Sequence, residues 1–117
     1  MNKKYYREFI RKLINQDPAE ITITRKTVTD DGFGGKIEEE VILEPQTVRI
    51  YNKKSQREIV SDAGVFYSRA DVLKLLATYD ADLKKGDTFI YNGYSLRIRH
   101  VEDYFSICQQ AELEVIG

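Results

Sequence analysis

The chain has 117 residues, 42% of them hydrophobic and 32% charged, with two prolines and a net charge of −1. That is the length of one domain, 1–117, with enough apolar content for a core and no net field to recruit nucleic acid or an anionic membrane. One cysteine and one histidine exclude an internal disulfide and leave too few ligands for a zinc centre.

No apolar run approaches the ~20 residues of a membrane-spanning helix. The opening "MNKKYYREFIRKL" has charges threaded through it and no small-residue cleavage site, so no signal peptide is expected. Cys108, between Ile107 and Gln109, reads as a packed thiol in a reducing interior, and the expected compartment is the cytoplasm.

Residues 3–14, "KKYYREFIRKLI", predict a helix. Tyr5, Tyr6, Phe9, Ile10, Leu13 and Ile14 recur at spacings of three and four and form one broad apolar face. Lys3, Arg7 and Arg11 make an i, i+4 row beside it. The row reads first as a solvated face, and otherwise as a contact for phosphates or an acidic partner. Asn15 is the expected C-cap and Pro18 the stop.

Beyond Pro18 the period changes to two. "ITITRKTV" (Ile21–Val28) and "KIEEEVILEPQTVRIY" (Lys36–Tyr51) predict strands. Ile37, Val41 and Leu43 share one parity, whereas Val48 and Ile50, past Pro45, have the other. A flip of parity at a proline predicts a bulge or sheet corner, which lets a small sheet curl into a barrel.

Between these runs lies "DDGFGGK" (Asp30–Lys36). A phosphate-binding P-loop needs G-x-x-x-x-G-K-[ST] leading into a helix, and here Ile37 and a strand follow. A calcium loop with Gly32 at its sixth position would have Thr27 and Thr29 as its first and third ligands, where carboxylates belong. The stretch therefore reads as a hairpin turn whose glycines supply positive φ.

"NKKSQREIVSDAGVFYSRAD" (Asn52–Asp71) shows no sustained apolar period, and it reads as a long, irregular, mobile polar loop of functional interest. "VLKLLATY" (Val72–Tyr79) fits a helix face or a strand, and the β-rich flanks favour the strand. "DADLKKGD" (Asp80–Asp87) is a turn with solvated carboxylates. "TFIYNGYSLRIRHV" (Thr88–Val101) is a hairpin about Asn92-Gly93, with Tyr94, Leu96 and Ile98 on one face and Arg97 and Arg99 on the other. In "AELEVI" (Ala111–Ile116), Ala111, Leu113 and Val115 are expected inward, with Glu112 and Glu114 outward toward Arg97 and Arg99.

Catalytic patterns are sparse. His100 sits in mid-strand without a nucleophile motif. Glu38, Glu39 and Glu40 alternate across a strand and cannot aim at one point. The expectation is a non-enzymatic protein with no cofactor and no metal. A small curled β-domain with eight tyrosines leaves one alternative, an OB-like single-stranded nucleic-acid binder. The acidic pI and the lack of a basic stripe weigh against it.

Taken in order, the N-terminal helix, "TDDGFGGK", "TVRIY", a polar loop, "LLATYDADLKKGDTFIYNGYSLRIRHV" and "CQQAELEVI" resemble the head-closure, or stopper, proteins of long-tailed phages. The resemblance extends to versions encoded by defective prophages of Gram-positive bacteria. The resemblance implies a small β-barrel that forms a ring of copies below the portal and adaptor. Such a ring retains packaged double-stranded DNA and presents a surface to the tail-completion protein. It would be assembled in the bacterial cytoplasm and end in the neck of the virion or prophage particle, with no membrane involved. By position, Asn52–Gly64 matches the family's channel-closing loop. The residues implied are Lys53, Lys54, Ser55, Gln56, Arg57, Glu58 and Ser61, with Lys3, Arg7 and Arg11 as partner contacts.

Overall fold

The computed structural model describes residues 2–117 except 62–63, and the side chains of 53–71 lie outside its described part. The fold is mainly β: helix α1 (Lys3–Gln16) followed by strands β1 (Ala19–Ile21), β2 (Thr24–Asp30), β3 (Lys36–Ile42), β4 (Gln46–Ser61), β5 (Gly64–Thr78), β6 (Thr88–Tyr91), β7 (Tyr94–Tyr104) and β8 (Cys108–Val115). All pair antiparallel in one curled sheet of order β1-β4-β5-β8-β7-β6-β2-β3.

The curl is written into the first strand. β1 and β2 are separated only by Thr22 and Ile23, yet β1 pairs with β4 and β2 pairs with β6 across the sheet. One bent strand thus serves both ends of the sheet and draws them together, so that β1 also touches β6. Opposite the bend lie Leu43, Glu44 and Pro45, three residues against two, with the Leu43 amide donating to the Ile23 carbonyl at 2.9 Å. This is the bulge expected from the parity flip at Pro45. Past it Val48 and Ile50 turn inward, packing with Ile21, Ile23, Leu75, Leu96, Ile98 and their neighbours into the core.

Several details differ from expectation. Ile37 and Val41 are exposed, because β3 pairs with β2 alone and nothing covers either face. Val115, the last residue of β8, is 61% exposed although it pairs with the buried Leu96. The helix runs two residues further than expected: Asn15 lies inside it, and Asp17 is the cap, its amide donating to the Ile14 carbonyl at 3.2 Å. Val72–Tyr79 falls on β5 and the residue after it, as the β-rich flanks suggest.

Helix α1 lies against the outer side of the curled sheet on β4 and β5. Ile14 packs with Leu76 and Cys108, flanked by Ile10, Leu13 and Tyr51, while the Arg49 guanidinium donates to the Leu13 carbonyl at 3.1 Å. Burial pushes the Cys108 thiol above its ordinary pKa. The folded chain therefore holds the protonated form, and any stability this brings is lost as pH rises past the thiol's unfolded value. Alkylation of Cys108 by iodoacetamide near pH 8 should be at least ~10-fold slower in the native protein than in urea. Equal rates would mean that the helix does not cover the thiol.

The turns follow the sequence closely. Asn92 (φ 50°) and Gly93 (φ 81°) form the tight β6–β7 connection, both left-handed as a type I′ turn requires. At the β2–β3 turn, Asp31 Oδ1 accepts from the amides of Phe33 (2.7 Å) and Gly35 (3.0 Å). The phosphate-loop and calcium-loop geometries are replaced by an acid-capped turn.

Candidate functional site: two projecting hairpins and the clamp at their base

β4 and β5 pair in register from Arg49↔Leu76 to Ser61↔Gly64. The rest of the sheet does not follow them that far. β1 reaches only Gln46–Val48 of β4, and β8 reaches only Leu73–Thr78 of β5. The nine pairs from Lys53↔Val72 to Ser61↔Gly64 bond to each other alone, a two-stranded finger ~30 Å long at ~3.3 Å per residue.

The long internal segment expected at Asn52–Asp71 is thus present, and its described backbone is a regular hairpin rather than irregular chain. Lys53, Lys54, Ser55, Gln56, Arg57, Glu58 and Ser61 all belong to one arm of it. Their side chains, Asp62 and the expected mobility lie outside the described residues. The sequence held a signal for the hairpin: "EIV" and "VFY" are β-rich runs placed symmetrically about "SDAG".

The second projection is the β2–β3 arm, seven pairs from Thr24↔Ile42 to Asp30↔Lys36. Only its first residue pairs with another strand, Thr24 opposite Thr88 of β6. Phe33 at its tip is 94% exposed and Ile42 near its base is 72% exposed. Register places Glu38 and Glu40 opposite Val28 and Lys26, and Glu39 opposite Thr27, so the three carboxylates divide between two faces as expected.

The turn before β6 clamps the root of the arm and the start of β4. Arg25 donates through Nε to Asp87 Oδ1 (2.9 Å) and through Nη2 to Asp87 Oδ2 (2.9 Å) and Asp82 Oδ1 (3.0 Å). Asp87 is buried and also accepts the Lys84 amide at 2.8 Å. Hydrogen bonding to Asp87 holds the guanidinium pKa further above its already high value, against the opposing effect of burial. Gln46, the first residue of β4, exchanges two bonds with the backbone of Asp82, at 2.9 and 3.0 Å. One turn thereby fixes both Arg25 at the root of the arm and Gln46 at the head of the strand that carries the finger.

This clamp corrects the reading of "DADLKKGD" as a merely solvated turn. Asp82 is largely exposed, but Asp87 is enclosed. No local pattern marks it, because its partner lies 62 residues away.

The basic row on α1 divides. Arg7 is engaged within the chain, donating to the Ser106 carbonyl (2.9 Å) and stacking 3.6 Å from the centre of the Tyr79 ring. Lys3 and Arg11 are exposed. Arg11 borders a groove of about 400 Å³ beside Ile14, Gln46 and Asp80. The apolar face is split as well: Ile14 is buried, whereas Tyr5 (63%) and Phe9 (52%) face outward.

His100 is exposed on β7 and meets Glu102 Oε1 at 3.2 Å. The hydroxyl of Tyr104 holds Glu102 below its ordinary carboxylate range, with His100 a lesser cause. Arg97 and Arg99 both meet Glu114, at 2.5 and 3.8 Å, while Glu112 pairs in register with His100. Among the described residues no group of three His, Cys, Asp or Glu is placed to hold a metal. No described helix is long and apolar enough to cross a membrane. A scan against protein-family models finds no match, and a search of curated proteins finds none.

Proposed function

We propose that the chain is a head–tail connector subunit of a long-tailed phage or prophage. Copies form a ring below the portal and adaptor, the β4–β5 finger closes the DNA channel, and the ring receives the tail-completion protein. The order of sequence features described above supports the reading, and one structural observation carries it: a hairpin ~30 Å long that no other strand supports. An isolated two-stranded ribbon is marginal in water. In a ring, fingers from successive copies meet at high effective concentration, and contacts too weak for one copy become strong together.

The finger's composition suits a reversible stop on DNA. Lys53, Lys54 and Arg57 are partly offset by Glu58 and Asp62. A denser run of cations would grip phosphates and resist release, since each phosphate contact adds to the salt-dependent affinity.

The test uses DNA-filled heads that carry the matching portal and adaptor but lack their closure protein. Adding the purified chain should raise the fraction of nuclease-protected DNA and make the heads competent to bind tails. If protection stays at the level of untreated heads, and the chain binds short single strands tightly at low salt, the OB-like reading replaces this one.

A further inference from the structure

The β2–β3 arm and the outer face of α1 are each uncovered, and their charges are opposite. Thr24–Ile42 carries five carboxylates, Asp30, Asp31, Glu38, Glu39 and Glu40, against Arg25, Lys26 and Lys36. Arg25 is already committed to Asp87 and Asp82. Of the five cations in Lys3–Ile14, Arg7 is engaged with Ser106 and Tyr79 and Lys3 falls on the Ile14 side, which leaves Lys4, Arg11 and Lys12 against Glu8 on the outer face. Among the described residues no carboxylate pairs with Lys3, Lys4, Arg11 or Lys12.

Both surfaces also carry apolar groups that nothing covers. Tyr5, Phe9 and Lys12 follow one helical stripe at i, i+4 and i+7, on the side away from Ile14. The arm presents Phe33 at its tip, Val28 and Ile42 on one face, and Ile37 and Val41 on the other. A seven-pair ribbon with both faces in water gains little from its own contacts, so it is best stabilised by a surface that takes the apolar side chains and matches the carboxylates. The arm is not seated on its own helix, which packs on β4 and β5.

We infer that copies of this chain associate head to tail, the acidic β2–β3 arm of one seating on the basic aromatic face of α1 in the next. The patches differ, so the contact is heterologous and each copy offers one arm and one helix, leading to a ring or an open chain. This deepens the connector reading by naming the mating surfaces, and it rests on that reading only for closure into a ring. Edge protection by Glu38–Glu40 explains the carboxylates but not the uncovered Phe33, Tyr5 and Phe9.

The test uses two full-length charge reversals and sedimentation at low salt. The first is Lys4→Glu/Arg11→Glu/Lys12→Glu and the second Glu38→Lys/Glu39→Lys/Glu40→Lys. All six side chains are exposed, so both variants should melt close to the parent. Each alone should self-associate ~10-fold or more weakly than the parent, since like charges then face each other. Mixed one to one they should associate again, because every arm then finds a helix of opposite charge. Phe33→Ser should weaken the parent's association in the same assay without lowering its melting temperature.

A parent that stays monomeric at a concentration on the order of 1 mM, a single reversal that associates as the parent does, or a mixture no stronger than its components overturns the inference. Heads closed by a chain that fails these tests would leave the connector function standing with other mating surfaces. Association without DNA retention would leave the contact standing and remove the function.

Discussion

Replacing Asp87 with alanine should lower the melting temperature by about 12–20 °C. The Asp87 side chain is 2% exposed and that of Arg25 only 13%. Removing the carboxylate leaves a guanidinium enclosed without its two-bond partner, and it orphans the Lys84 amide. Breaking one side of a buried pair costs about 3–5 kcal/mol, mostly the burden of the charge left behind. Each kcal/mol shifts the melting point by about 4 °C at this chain length. Asp82→Ala is the control: it is 59% exposed, so its loss should cost about 1 kcal/mol or less. Thermal denaturation followed by circular dichroism checks both. If Asp87→Ala melts within about 4 °C of the parent, the clamp is not what holds the root of the arm.

The second large effect is functional and should leave stability almost untouched. Lys53 and Val72 stand directly opposite each other, so residues 54–71 can be replaced by Asn-Gly, which closes an antiparallel pair in a two-residue turn. The removed segment pairs only with itself, so the melting temperature should stay within about 4 °C of the parent. Filled heads given this trimmed chain should leak their DNA, whereas heads given the full chain retain it. Retention by the trimmed chain would place closure elsewhere. Loss of folding would show that the finger supports the barrel in a way its backbone pairing does not reveal.

The contrast between these two regions also explains what could be read beforehand. The curl was legible because Pro45 and the parity flip around it are local, and so were the hairpin at Asn92-Gly93 and the inward set Leu96, Ile98, Ala111 and Leu113. The helix was legible from its period, but the period gives a face and not what covers it. Tyr5 and Phe9 lie at one margin of the broad apolar face and Ile14 at the other, and only the tertiary contact decides which margin is buried.

The clamp was not legible at all. Arg25 and Asp87 sit in segments whose local chemistry suggests exposed charge, and they meet only because the bent first strand brings β2 back to β6. The finger is hidden in the sequence for a different reason. Charged residues in Lys53–Glu58 mask the alternation that marks a half-buried strand, and the ribbon they form pairs with no strand beyond its own partner.

The bulge that turns β3 into β4 has a mechanical consequence. Only Leu43, Glu44 and Pro45 lie between the arm and the strand that continues into the finger, and three residues span at most about 11 Å. There is no slack in that link, and the Leu43–Ile23 bond and the Gln46–Asp82 exchange pin it on both sides. A tug on the arm therefore travels lengthwise into β4. There it loads the ladder with β5 in shear, many hydrogen bonds sharing the strain at once, instead of peeling them apart one by one. Whatever grips the arm from outside therefore pulls along the strand that continues into the finger.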